Sequence, residues 1–327
     1  VVRLAAAPMP APRGGTAAPQ AQSPAVVSPL ASSAAPQAHS PAVPSTRDGR
    51  VGLAVIDDFI GPRTKHGKVE RIWAQYERHV ETLAGQGAGI VVLPEKIAVV
   101  PPAEAERLQA RLSTLAARTK VWLAVGIGTD DGQRKQNLEW LFAPDGRLDA
   151  NYSKHHMAPP EREFAPGDAF DVRAIGSTSY GLAICKDMHF GAMGRAYGQR
   201  GAQVMLVPAW DFNDDGEYAA RLSALRGVES GFAMVRAARE GLLTVTDQFG
   251  RIIAEAPSAA MPGTTLLAPL PAAALSAPGD PAGPRRATLY ARTGDMIGWL
   301  GTLGALLCLL PRRRRRPVGT ATVDAPA

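Results

Sequence analysis

Along the chain, apolar runs of strand length alternate with segments whose apolar residues recur at helical spacing. VGLAVID (51–57) predicts a buried strand. Between Lys68 and Ala84, the residues Val69, Ile72, Trp73, Tyr76, Val80 and Leu83 share one helical face. GIVVLPE (89–95) predicts a strand ending in Pro-Glu, and Ala103 to Thr119 a helix with Leu108, Leu112 and Leu115 turned inward. Strands follow at VWLAVGI (121–127), NLEWLFAP (137–144), YGLAIC (180–185) and QVMLVPAW (203–210), then a helix from Glu217 to Ser230. FAMVRAA (232–238), LLTVTD (242–247), RIIAE (251–255) and TTLLAPL (264–270) read as strands, the middle pair turning at Gly250. This order predicts an α/β layered domain whose apolar sheets are covered by helices.

The ends of the chain have a different texture. Residues 1–48 are rich in Ala, Pro, Ser and Gln and almost lack large apolar groups, which predicts a disordered linker. MIGWLGTLGALLCLL (296–310) carries no charge and is followed by Pro311 and five arginines, Arg312–Arg316. The expected division is therefore a linker over 1–48, a catalytic domain over 49–275 and a connecting segment over 276–295. A transmembrane helix over 296–311 and a basic tail over 312–327 complete it. By the positive-inside rule the tail would be cytoplasmic and the main domain extracytoplasmic, at a bacterial inner membrane. Such a domain needs an earlier targeting or membrane segment, so the expectation is a C-terminal part of a longer membrane protein.

Composition narrows the function classes. The chain has 327 residues, 46% of them apolar, enough to bury a sizeable core. Its net charge of +6 is almost wholly the arginine run, so it is no nucleic-acid signal. Two cysteines, Cys185 and Cys308, make no disulfide framework. His155 and His156 lack a third ligand at suitable spacing, so no metal is expected, and no motif implies a cofactor.

Three residues stand at or just beyond the ends of apolar runs: Glu95, Lys154 and Cys185. A thiol needs a base to become a nucleophile, and a carboxylate can serve. An ammonium and the backbone N–H of Lys186 can together stabilise an oxyanion. Taken singly, each residue also has an ordinary structural reading. Their order, within LPE, YSKHHMAPPEREFAPG and AICKD, resembles the nitrilase or carbon–nitrogen hydrolase superfamily over roughly residues 51–270. That resemblance implies a nitrilase-like α-β-β-α sandwich with Cys185 as nucleophile, Glu95 as general base and acid, and Lys154 as stabiliser of the tetrahedral intermediate. It also implies a supporting glutamate, Glu163 or its rival Glu161, with Asp187 and Trp210 nearby.

Within the superfamily, TLYARTGD (288–295), the Arg226, Glu229, Gly231 pattern and VRAAREGLLTVTDQFGRII (235–253) are similar to the apolipoprotein N-acyltransferase branch. The chain departs from that branch at Lys186-Asp187, at Val207-Pro208, and at Arg239-Glu240, where two asparagines are common. The branch implies a phospholipid acyl donor, a Cys185 thioester and the N-terminal amine of a lipoprotein as acceptor. The alternatives are a membrane-tethered amidase or nitrilase, and a degenerate, non-catalytic domain.

Overall fold

The computed structural model describes residues 49–213, 215–270 and 287–309. The linker expected over 1–48, most of the connecting segment and the basic tail lie outside them.

Two sheets form the centre of the domain. The first contains β1 (Arg50–Val55), β2 (Ala88–Val92), β3 (Val99–Val100), β4 (Trp122–Asp130), β5 (Lys135–Phe142), β6 (Leu148–Ser153) and β13 (Thr264–Pro269), in the order β13-β1-β2-β4-β5-β6 with β3 beside β4. The second contains β7 (Val172–Ile175), β8 (Thr178–Leu182), β9 (Val204–Trp210), β10 (Ala233–Arg239), β11 (Leu242–Thr246) and β12 (Ile252–Pro257), in the order β12-β11-β10-β9-β8-β7. Each sheet has a parallel centre and antiparallel flanks. In the first, β1, β2 and β4 run parallel and are linked by α1 (His66–Gly85) and α2 (Pro102–Thr119). In the second, β8, β9 and β10 run parallel and are linked by α3 (Gly191–Gln199) and α4 (Gly216–Ser230).

Because strand side chains alternate between faces, each sheet buries two surfaces. The facing surfaces make one core: Val51, Leu53, Ile90 and Val92 of the first sheet join Leu182, Val204, Leu206 and Val235 of the second. The outer face of the first sheet packs on α1 and α2 through Ile72, Trp73, Leu108, Leu112 and Leu115. The outer face of the second packs against Met193 and Tyr197 of α3. The order of layers is α-β-β-α, as expected.

The C-terminal expectation is corrected. The apolar segment forms α6 (Met296–Leu309), 14 residues long. At 1.5 Å per residue it rises about 21 Å, against a hydrocarbon thickness of about 30 Å. No helix among the described residues is long and apolar enough to cross a membrane. The lack of charge in this segment drew the expectation of a span, but length decides against it. Ahead of it, α5 (Leu289–Thr293) is capped by Thr288, whose Oγ1 accepts from Ala291 N at 3.0 Å. It is held to α3 by Gln199 Nε2, which donates to Ala291 O at 2.7 Å.

Candidate active site

The strands carry the chemistry at their carboxyl ends, where the chain leaves the sheet and side chains can converge. Glu95 lies three residues beyond β2, and its backbone is pressed against β4. Gly126 N donates to Pro94 O at 3.2 Å, and Ile97 N donates to Gly126 O at 3.0 Å. A Cβ on Gly126 would lie 2.5 Å from both Glu95 Cα and Pro94 O, so only glycine lets the two segments approach this closely. Glu95 N also donates to Ala209 O of β9 at 3.4 Å, linking the first sheet to the second.

Lys154 follows β6 directly. Its N–H donates to Asn137 O at 2.9 Å, and its carbonyl accepts from Gly167 N at 2.8 Å. Fixed at both backbone groups, it turns a fully buried ammonium onto two carboxylates: Glu95 Oε1 at 2.7 Å and Glu161 Oε2 at 2.6 Å. Asn137 Nδ2 bridges the same pair, donating to Glu95 Oε1 at 2.5 Å and Glu161 Oε1 at 2.8 Å. Lys96 Nζ makes a short ion pair with Glu161. Two carboxylates thus meet two ammoniums, all four side chains are buried, and the formal charges balance. Burial alone would lower the Lys154 pKa, but the carboxylates of Glu95 and Glu161 outweigh it and raise the pKa. Burial likewise works against a charged Glu161, yet Lys154 and Lys96 hold its carboxyl down at about 2.

Cys185 opens the 3-10 turn Cys185–His189, three residues beyond the end of β8. Its φ of +43° is left-handed, a strained conformation for a residue with a Cβ. This bend takes the thiol out of the strand direction, and Sγ donates to Trp210 O at 3.5 Å. The turn is pinned by Asp187. Its Oδ2 accepts from Ile184 N at 3.0 Å and Tyr152 Oη at 2.8 Å, while Oδ1 accepts from His156 N at 2.8 Å and His155 N at 3.2 Å. One carboxylate therefore ties the backbone before Cys185 to the backbone after Lys154. The Lys186 N–H lies in the first turn of the 3-10 segment, where N–H groups have no acceptor within the helix.

Burial, then the nearby Glu95 charge, push the Cys185 thiol up to about 12; Lys154 and Arg236 pull the other way. The resting sulfur is therefore protonated, and attack requires transfer of its proton to a base. Lys154 and Cys185 each shift the other's ionisation, and the Glu95 charge shifts that of Cys185. The three groups thus share one electrostatic environment at the junction of the two sheets.

Of the two candidate glutamates, Glu161 reaches Lys154 and Glu163 does not. A 3-10 turn, Pro159–Glu161, aims Glu161 inward, where its Oε2 also accepts from Ala158 N at 2.9 Å. Glu163 is 62% exposed and pairs with Lys135 at 2.9 Å. Trp210 ends β9 and donates its Nε1–H to Glu240 Oε2 at 2.7 Å. His155 and His156 serve Asp187 through their backbones, and no group of three or more metal-ligating side chains occurs among the described residues. Sequence reasoning missed Asn137, Lys96 and the buried Arg236–Asp211 ion pair. Asn137 left a signal: with Glu139 it puts polar groups at alternate positions of a strand that continues with Trp140, Leu141 and Phe142.

With this geometry in place, comparison with known proteins is informative. Residues 59–271 match the carbon-nitrogen hydrolase family. The chain belongs to that family. Among relatives of this carbon–nitrogen hydrolase, omega-amidase NIT2 of Homo sapiens is 30% identical over 208 residues, spanning 54% of this chain and 75% of that protein. An (R)-stereoselective amidase of Pseudomonas sp. is 30% identical over 169 residues, 48% of this chain and 61% of its own. A nitrilase of Pyrococcus abyssi is 29% identical over 190 residues, 53% and 70%. The fold resembles that of the Nesterenkonia sp. AN1 amidase in complex with butyramide, with a TM-score of 0.60 at 22% identity, covering 70% of this chain and 94% of the amidase. These relatives are amidases and a nitrilase. The family expected from the sequence therefore holds, while the narrower N-acyltransferase branch is not shown by them.

Proposed function

We propose that this chain is an amidase-type hydrolase that cleaves a carboxamide through a thioester on Cys185. Glu95 takes the thiol proton as sulfur attacks the amide carbonyl. Lys154 and the Lys186 N–H stabilise the oxyanion. Glu95 returns the proton to the departing nitrogen, and ammonia or an amine leaves. Water then attacks the thioester with Glu95 again as base, releasing the acid and restoring the thiol. Glu161, Asn137 and Lys96 fix the orientation of Glu95 and Lys154 without touching the reacting atoms. The observation that carries this reading is the buried meeting of a carboxylate, an ammonium and a high-pKa thiol. The amidase names of the relatives support it.

The test is ammonia release from butyramide by the full chain, with the acyl adduct on Cys185 trapped by acid quench and weighed by mass spectrometry. Adduct and ammonia together support hydrolysis; neither, with any amide tried, sinks it. A second reading, transfer of the acyl group from a phospholipid to a lipoprotein N-terminal amine, shares the thioester and rests on the TLYARTGD motif (288–295). It predicts an adduct discharged by an amine in preference to water.

A further inference from the structure

Lys96 directly follows Glu95, and its backbone is fixed on either side. Glu95 N donates to Ala209 O at 3.4 Å, and Ile97 N donates to Gly126 O at 3.0 Å. Between these anchors Lys96 takes a φ of +43°, a left-handed conformation disfavoured for a residue with a Cβ. Its side chain is held inside the domain, and the residue is 5% exposed. Lysines are almost never buried so deeply unless their charge is matched.

The ammonium has three neighbours. It makes a short ion pair with Glu161, and it lies over the rings of Phe164 at 4.9 Å and Trp210 at 5.2 Å. Glu161 already has three other donors from three separate segments: Lys154 Nζ at 2.6 Å, Asn137 Nδ2 at 2.8 Å and Ala158 N at 2.9 Å. These are enough to orient its carboxylate. What Lys96 adds is charge.

Glu95, Glu161 and Lys154 together carry one negative charge, and Lys96 brings the sum to zero. The other charges nearby are matched elsewhere. Arg236 pairs with Asp211, and Glu163, next to Phe164, is drawn away by Lys135. Arg239, stacked on the Trp210 ring at 3.6 Å, has Glu240 and Asp57 beside it. Burial works against the Glu161 charge, and Lys96 is one of the two cations that hold it ionised. A buried cluster with an excess negative charge relieves it by taking up a proton. Glu95 must be free of its proton to accept that of the thiol.

We propose that Lys96 is a positioning residue that sets the charge of the cluster and so keeps the site active in mild acid, where the same cluster without it would hold a proton and lose its base. This rests on the hydrolase reading above, in which Glu95 is the base, and the test separates the two. Alkylation of Cys185 by iodoacetamide is followed in the full chain from pH 4 to 9. The Sγ–C bond forms, iodide leaves and the thiol proton passes to Glu95. Peptide mass spectrometry separates this product from that of the exposed Cys308. An opposite charge within about 4–6 Å moves the titration of a carboxyl by about 1–3 pH units. Lys96→Met is therefore expected to raise the midpoint of the acid limb by about one pH unit or more, a tenfold loss of rate on its acid side. Lys96→Arg is expected to keep the wild-type midpoint. Lys96→Met with Glu161→Gln removes one charge of each sign, restores the balance and is expected to return the midpoint to the wild-type value. A merely structural role predicts a loss at every pH with the midpoint unmoved, and that result overturns the proposal. Where Lys96→Met alone does not fold, the double variant decides: a wild-type midpoint supports the proposal and a raised one overturns it. Ammonia release from butyramide is measured alongside. No release from any of these proteins, with the alkylation midpoints still displaced, sinks the hydrolase reading alone. A rate that climbs with pH over the whole range, with no plateau in any protein, removes Glu95 as base and overturns both.

Discussion

Over the first sheet, α1 and α2 bring down Ile72, Trp73, Tyr76, Val80, Leu108, Leu112 and Leu115, large side chains at helical spacing that fill the interlayer space. Over the second sheet, α3 and α4 bring mostly small residues, with Ala219, Ala220, Ser223, Ala224 and Gly227 buried on α4. Here the backbones themselves come close. A Cβ on Gly198 of α3 would lie 2.7 Å from Ser230 O at the end of α4. One layer is held by burial of bulk and the other by close approach, and each sheet supplies part of the site. Glu95, Lys154 and Glu161 follow strands of the first; Cys185 and Trp210 belong to the second. The difference predicts that the layers fail in different ways.

The largest effect is expected from removing one catalytic group on each side. Cys185→Ala should reduce ammonia release by about a thousandfold or more. Adding Glu95→Gln should cost little further, because groups that act as a unit are not additive. A double variant far worse than either single would separate the two residues. Next, Glu161→Gln should lower unfolding free energy by about 3–5 kcal/mol, since it breaks a buried charge cluster. Glu163→Gln, on an exposed pair, should cost under about 1 kcal/mol. Urea titration measures both, and similar values would contradict the placement of Glu161.

The helical layers can be compared in the same way. Leu112→Ala should cost about 2–5 kcal/mol by leaving a cavity, and Gly198→Val about 1–3 kcal/mol by overpacking. An added methyl nearby should offset the first but never the second.

The smallest effect concerns pH. His189, on the second-sheet side, is held at about 4, below its ordinary 6.5, by burial and by the charges of Arg236 and Lys186. The unfolded chain therefore binds the extra proton more readily. His189's contribution to stability is full above pH 6.5 and declines as pH falls towards 4. Glu161 contributes fully above its ordinary 4.5, and its contribution disappears only as pH falls through about 2. Mild acid should thus weaken the second-sheet side first. His189→Asn should flatten the stability profile between pH 6.5 and 4, and an unchanged slope would refute the assignment.

The first layer was the more legible in the sequence. Large apolar residues at helical spacing place α1 and α2 to within two residues at each end. The nine residues of α3, GAMGRAYGQ, contain three glycines and offer no such stripe, so this helix went unpredicted. The short flanking strands β6 and β7 were also missed, since LDANYS and VRAI carry little periodicity. Glu95, Lys154 and Cys185 could be picked out because each follows an apolar run or the turn after one. The choice between Glu161 and Glu163 could not be made from spacing, because a 3-10 turn of three residues decides which carboxylate faces inward. Lys96 left no signal beside Pro94 and Glu95. That its ammonium meets Glu161 is a fact of three dimensions.

The hydrogen bond from Glu95 N to Ala209 O joins the proposed base on one sheet to the strand end beside the thiol on the other. The reactive centre is thus a gauge of how the sandwich is registered. A swollen state could keep both ladders and their circular dichroism while the slabs slide apart by an ångström or two. Catalysis would then vanish well before the chain lost its backbone pairing.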